Sequence, residues 1–285
     1  MAFRATYSIL LQARTAALVA ICVLASSELY CIDKPITVAL VFDGLTQEDR
    51  EPLRAYLTKA MGQRVNIAVP DSYNETVAHL ADASYDFACL GALMYVRSHA
   101  TYGVIPLVQR TSDLHFHALF ITGPNSPIHS LRDLMGKQFA FGDIGAAGAH
   151  LIAYHELVQA GINPETDLKY RYSGSHPATA AMVEAGVVDA GVLDETLFDS
   201  LTRNGKLDNK RVRVFYTSKP YVGYVFVARR DVPEAVRERF VRALLALKEG
   251  NNDPVLNILR AKQFVVANDQ EYTAIRRIAK ELKMF

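Results

Sequence analysis

Apolar positions along the chain follow two alternating patterns. Short β-branched runs, apolar at nearly every position, are separated by longer stretches whose apolar residues recur every three or four positions. Residues 35–42 (PITVALVF) read as a buried strand. A helix is predicted over 46–60, with Thr46 at its start and Glu48 and Asp49 in the first turn, where the helix dipole favours acids. Strand 65–69, a helix capped by Asp71 and running to 83, strand 85–89, helix 91–100 and strand 104–109 complete a first series. The pattern then restarts: strand 119–122, short helix 130–135, strand 138–141, and a helix over 147–160 ended by Gly161 and Pro164. Strand 168–172, helix 176–185, strand 188–193, helix 195–203 and strand 212–216 follow. A long apolar strand, 221–228 (YVGYVFVA), and two helices, 233–249 and 269–283, close the chain. No internal repeat is evident.

Strands and helices alternating at these lengths predict an α/β protein whose sheets are mostly parallel, with helices on both faces. Two such series predict two similar lobes. The expected division is residues 28–121 plus 226–285 for lobe 1 and residues 122–225 for lobe 2, with the terminal helices packing back on lobe 1. Two chain crossings make a hinge. Ligands of open α/β sheets bind beyond the carboxyl ends of the strands, so a cleft between the lobes is the expected site and can close like a clamp.

The first 27 residues read as a leader. Arg4 and Arg14 precede an apolar run from Thr15 to Ala25, and small residues follow at Ala25, Ser26 and Ser27. That is a basic segment, an apolar segment and a cleavage site, after which the mature chain would begin near Glu28. The apolar run, about 11 residues, is well short of the roughly 20 needed to span a bilayer. Tyr30 before Cys31 is too large for a lipoprotein box. Export is therefore expected, and Cys22 leaves with the leader.

Composition removes other classes. Lysine and arginine total 31 against 30 aspartate and glutamate, a formal net charge of +1. That balance argues against nucleic acid as a partner. A charged fraction of 21% excludes a polytopic membrane protein, and a hydrophobic fraction of 50% excludes disorder. Three cysteines are too few for a disulfide scaffold. A Cys31–Cys89 bridge is opposed by position. One residue precedes the first strand and the other ends a parallel neighbour, so five or more residues at about 3.3 Å each separate them. A disulfide needs Cα atoms within about 7 Å. His115 and His117 share a strand face, but no cysteine or carboxylate stands at a supporting spacing for zinc. No Ser-His-Asp order, paired carboxylates, nucleotide loop or cofactor lysine stands out, so neither catalysis nor a cofactor is expected.

Several segments, in order and spacing, resemble a known family. They are Tyr85-Asp-Phe-Ala-Cys-Leu-Gly91, Ser126-Pro-Ile128, Phe141-Gly-Asp-Ile-Gly-Ala-Ala-Gly148, Ala160-Gly-Ile-Asn-Pro164, Tyr172-Ser-Gly-Ser-His176 and Val188-Asp-Ala190. Over nearly the whole mature chain they resemble the PhnD-like family, periplasmic phosphonate, phosphite and phosphate binding proteins of ABC uptake systems. The resemblance implies a periplasmic location, a two-lobed type II periplasmic-binding-protein fold, and an ABC permease as partner. It also implies ligand contacts from Tyr73, His176 and the helix start at Ala146 and Ala147.

Two departures bear on the ligand. The family's Ser-Thr-Ser run at the helix start is replaced by Ala146, Ala147 and Gly148, which removes three hydroxyl donors for a dianion. The returning strand offers no acid to meet an amine, which argues against an aminophosphonate. Cys89 ends a strand beside a helix start, where the dipole would favour a thiolate. A thiol at the cleft mouth with fewer hydroxyls suits arsenous acid, since As(III) bonds to sulfur. The combination resembles the arsenite-sensing branch, AioX, whose partner is a sensor histidine kinase. The leading expectation is thus arsenite capture with Cys89 as the metalloid ligand, His176, His117, Tyr73, Ala146, Ala147 and Asp194 completing the site, and signalling to a kinase. Transport of a phosphorus oxyanion is the alternative. For Cys89 the competing role is a small buried hydrophobe, for His176, His117 and Tyr73 interlobe packing, and for Asp194 a helix cap.

Overall fold

A computed structural model describes residues 34–41 and 45–284. The expected leader, Cys22 and Cys31 lie outside the described residues. Among those described, no helix is long and apolar enough to cross a membrane.

The first lobe is built on a six-stranded sheet of order β11-β4-β10-β3-β1-β2. Its strands are β1 (Ile36–Leu40), β2 (Val65–Ala68), β3 (Phe87–Leu90), β4 (Ile105–Arg110), β10 (Val225–Ala228) and β11 (Phe264–Val266). The second sheet has five strands, β7-β6-β8-β5-β9. These are β5 (Ala118–Thr122), β6 (Gln138–Phe141), β7 (Lys169–Tyr172), β8 (Ala190–Asp194) and β9 (Arg213–Thr217). The helices are α1 (Gln47–Met61), α2 (Tyr73–Ala81), α3 (Ala92–Tyr102), α4 (Ala153–Gln159), α5 (Pro164–Asp167), α6 (His176–Glu184), α7 (Glu195–Arg203), α8 (Glu234–Leu245), α9 (Asp253–Leu259) and α10 (Thr273–Glu281).

Local chemistry accounts for most boundaries. Thr46 and Asp49 form a reciprocal capping box at α1, and Gly62 ends that helix in the left-handed region at φ 64°. Ser72 caps α2 and Ser175 caps α6 through their hydroxyls. The helix expected over 147–160 begins with a π-helical stretch, Ala147–Ile152, that runs without a break into α4. Such wide turns often mark functional sites.

The structure differs from expectation in four ways. Both sheets are mixed, not parallel throughout: β10 runs antiparallel to β3 and β4, β11 antiparallel to β4, and β5 antiparallel to β8 and β9. β5 and β10 are the strands on which the chain enters a new lobe, so no crossover helix within the same sheet precedes them to enforce parallel pairing. The expected lobe boundary at 121/122 falls inside β5, which is wholly a strand of the second sheet, so the first crossing lies at 111–117. The expected strand 221–228 is shorter, with Tyr221 held apart in a single bridge to Phe116. Helix α9 and strand β11 lie where only a connection was expected.

The core has three parts. One layer lies under α1 and α8 and includes Leu40, Leu53, Phe87, Cys89, Phe226 and Phe240. Another fills the second lobe between α6, α7 and the sheet. The third runs from Tyr95 and Leu90 through Phe116, Ala147 and Tyr221 to Phe120 and Phe139, crossing between the lobes. The lobes therefore pack against each other around the site. Helix α10 packs on both α3 and the π-helical stretch, so the C-terminal segment touches both lobes.

Candidate functional site

Two chain segments, residues 111–117 and 218–224, join the lobes. Phe116 and Tyr221 exchange both backbone hydrogen bonds, each 2.9 Å, which ties the crossings together. Beside them Arg110 and Asp113 form a fully buried bidentate pair with two contacts of 2.7 Å. The Asp113 carboxylate also accepts from the Tyr224 N–H at 3.1 Å. The Arg110 guanidinium stacks 5.2 Å from the Tyr224 ring centre. Gly223 is required here, because a Cβ would lie 2.7 Å from Asp113 Oδ1 and 3.0 Å from Phe116 Cγ. The hinge is thus a packed knot that fixes the position of Tyr224.

Between the lobes lies a small inner cavity, partly open to solvent. Tyr73, Gly91 and Ala92 line it from the first lobe, Ala146, Ala147, Gly148, His176 and Asp194 from the second, and Phe116, Tyr221, Gly223 and Tyr224 from the crossings. A wider, partly open space shares Tyr73, His176, Asp194 and Tyr224 and extends past Asp143 and Ser175 to Arg260. Two helices point their N-termini into the inner cavity, α3 from Gly91 and the continuous helix 147–159 from Ala146. Neither start is capped by a side chain. The first N–H groups of a helix have no partner within it, and the dipole adds partial positive charge. Among the described residues, no lysine or arginine lines the inner cavity.

A polar relay crosses the cavity. His176 Nε2 lies 3.1 Å from Asp194 Oδ2, and the Asp194 N–H donates to His176 Nδ1 at 3.4 Å. That pattern places the imidazole proton on Nε2, an assignment made from the hydrogen bonds. The Tyr224 hydroxyl donates to Asp194 Oδ2 at 3.4 Å and lies 3.1 Å from the Tyr73 hydroxyl. Both Asp194 and His176 are buried. Asp194 also accepts from the Leu197 N–H at 2.7 Å, so it caps α7 while its other oxygen faces the cavity. Burial drives the Tyr221 and Tyr224 hydroxyl pKa values well above the ordinary phenol range, and both stay protonated.

Tyr73, Ala146, Ala147, His176 and Asp194 are thus brought together. His117 is not. Its Nδ1 lies 3.1 Å from Glu195 Oε2 and its N–H donates to Glu195 Oε1 at 3.0 Å, which ties it to the start of α7 outside the cavity. Cys89 is not at the cleft either. It is 1% exposed, opposite Leu40 and Phe226 in the sheet, on the face packed under α1 and α8. Successive strand side chains alternate faces; Ala88 and Leu90 take the side that continues toward the cleft, and Phe87 and Cys89 the other. Burial pushes the thiol pKa up, opposite to the expected thiolate. Among the described residues, no group of three or more histidine, cysteine or acidic side chains could hold a metal ion.

The hinge tyrosines of the site, Tyr221 and Tyr224, were missed from the sequence. The run YVGYVFVA reads as a strand and hides that its first four residues belong to the hinge. The glycine within it was the available signal.

The family model for the periplasmic substrate-binding protein of phosphonate ABC transporters matches residues 43–272. The chain belongs to this family. It is 26% identical over 241 residues to a probable ABC transporter phosphite binding protein, PhnD1, of Prochlorococcus marinus, covering 79% of this chain and 81% of that one. A solved structure of PhnD1 from that organism in complex with methylphosphonate superposes with a TM-score of 0.81 at 24% identity, over 88% of this chain and 99% of that one. A binding protein component of an ABC phosphonate transporter from Pseudomonas aeruginosa gives 0.79 at 17% identity, over 88% and 87%. A tetrathionate sensor histidine kinase, TtrS, of Salmonella typhimurium is 29% identical over 139 residues, 45% of this chain and 23% of the kinase. The fold is that of periplasmic binding proteins, and the family is periplasmic.

Proposed function

We propose that this protein captures a small phosphorus oxyacid (phosphite, a simple phosphonate or phosphate) in the periplasm and delivers it to an ABC permease. The observation that carries this reading is the pair of helix N-termini without side-chain caps, one from each lobe, meeting in one cleft. Anions bind at such ends without a cation. Contacts from both lobes make the ligand bind the closed form better than the open one, which drives closure. The jaws are the lobes built on the two sheets, and closure is the signal the permease reads. The reading is one of binding and not of catalysis.

The cavity also limits charge. Asp194 faces it, and a carboxylate beside a dianion would be repelled. A singly ionised oxyacid satisfies both sides: its P–OH donates to Asp194 and its oxygens accept from N–H groups.

The second reading is arsenite sensing through a kinase. Its support is the hydroxyl-free helix start, which suits an uncharged acid, and the partial similarity to a sensor kinase. The buried Cys89 gives it no sulfur ligand.

Calorimetric titration with phosphite, methylphosphonate, phosphate and arsenite separates these readings. Saturable binding of one of the three phosphorus acids is expected, and a hundredfold excess over Kd would stabilise the protein by about 2.7 kcal/mol. Binding of arsenite alone, lost in Cys89→Ser, would overturn the proposal in favour of the second reading.

A further inference from the structure

The Tyr221 side chain is nine-tenths buried, and its hydroxyl makes no hydrogen bond among the described residues. Buried hydroxyls without a partner are rare and costly, so each calls for an explanation. Tyr221 is among the residues that line the inner cavity, and its hydroxyl lies against Gly148 at the start of the helix 147–159. A Cβ built on Gly148 would lie 2.1 Å from Tyr221 Oη and 3.2 Å from its Cζ. The hydroxyl therefore occupies the space that any side chain at position 148 would need. The ring is fixed by an edge-on contact with Phe116, centroids 5.7 Å apart at 85°, and by the paired backbone bonds to the same residue. Its hydroxyl is held in place before any ligand arrives.

We infer that Tyr221 is a ligand-binding residue whose hydroxyl donates to an oxygen of the bound oxyacid, and that residue 148 is glycine to admit it. The helix start then offers backbone N–H groups together with one phenolic donor carried in from the hinge, 73 positions away in sequence. A donor on the hinge reports ligand contact directly to the segment that must bend on closure. Tyr221 thereby selects a ligand with an acceptor oxygen at that point and disfavours one presenting an apolar group there.

This inference rests on the oxyacid reading above. The test is a double-mutant cycle of Tyr221→Phe and Gly148→Ser, with sodium phosphite and methylphosphonate as calorimetric probes. Circular dichroism and the melting point of the ligand-free protein check folding. Tyr221→Phe removes one oxygen and is expected to weaken binding by about ten- to a hundredfold, the usual range for a hydrogen bond to a charged acceptor. Gly148→Ser alone puts its Cβ on the hydroxyl and is expected to abolish binding. In the double variant the Cβ meets only the ring carbon, the serine supplies a hydroxyl, and binding is expected to exceed that of Gly148→Ser. Wild-type binding with Tyr221→Phe unchanged within about twofold would overturn the assignment and leave the oxyacid reading standing. Wild-type protein that binds neither probe nor phosphate sinks both. If Gly148→Ser does not fold, the Tyr221→Phe arm decides alone.

Discussion

Replacing Cys89 with serine distinguishes a core thiol from a ligand. The side chain is 1% exposed between Leu40 and Phe226, in a layer that includes Phe87 and Phe240 stacked at 4.2 Å. Serine keeps the shape and substitutes a hydroxyl for a nearly apolar S–H. A buried hydroxyl without a matched partner costs about 1–3 kcal/mol. Alanine leaves a small void and costs about 1 kcal/mol, close to one buried methylene. For a chain of this size each kcal/mol lowers Tm by about 2–4 °C. Scanning calorimetry on ligand-free protein should therefore rank wild type above Cys89→Ala and Cys89→Ala above Cys89→Ser. Affinity for phosphite should stay within about twofold, or some 0.4 kcal/mol, in both variants. A thiol reagent applied to the native protein in a Cys31→Ser background should react slowly at neutral pH, because burial holds the thiol protonated. The reasoning fails if Cys89→Ser keeps its Tm and loses tenfold or more in affinity, or if Cys89 is labelled as fast as in the unfolded chain.

Other outcomes follow from the same geometry. Asp194→Asn keeps a good cap for α7 but loses the acceptor for a protonated ligand. Titrations across pH should show wild-type affinity falling as the oxyacid takes its second charge, and the variant should lack that dependence. Asp113→Ala leaves Arg110 buried without its carboxylate and should lower stability by about 3–5 kcal/mol in urea unfolding. His150 gives a stability slope with pH. Its pKa lies below the ordinary imidazole value, because burial outweighs the bond from its Nδ1 to the Ile144 carbonyl at 2.7 Å. The unfolded chain then binds a proton at a pH where the folded chain does not. This contribution is complete above about pH 6.5 and is lost as pH falls toward the depressed folded value. His150→Gln should flatten the slope between pH 7 and 5 in urea titrations.

Much of the architecture was legible in the chain. Short apolar β-branched runs and period-3.6 patterns located most strands and helices. The cap residue Thr46 acts on the nearest N–H groups, so its signal survives folding unchanged, whereas α2 is capped by Ser72, one residue after the expected Asp71. The π-helical opening at Ala147 had no local marker: Ala-Gly-Ala is compatible with either helix type, and the Gly142–Ala149 backbone bond of 3.0 Å ties it to the end of β6. Strand direction was not legible in β5, β9, β10 and β11. A buried strand carries the same apolar run whichever way it lies, and only the length of the connection before it constrains its sense.

The candidate site shows where that division falls. Residues at strand and helix ends (Tyr73, Ala146, Ala147, His176 and Asp194) reach the cleft because the ends of the elements define it. The family resemblance, rather than position alone, pointed to Tyr73, His176, Ala146 and Ala147, and all four line the cleft with Asp194. Cys89 is different. In Phe87-Ala-Cys-Leu90 all four residues are buried, so no polar position tells one face from the other, and a thiol on this strand could equally face the cleft or the outer layer. Packing under α1 and α8 made that choice. The meeting of Tyr221 with Gly148 was likewise invisible, since it depends on a hinge segment folding across a helix start far away in sequence. Sequence by itself determined that this chain builds two α/β lobes with a cleft between them. The tertiary structure decided which side chains face that cleft, because burial on both faces erases the alternation from which facing is read.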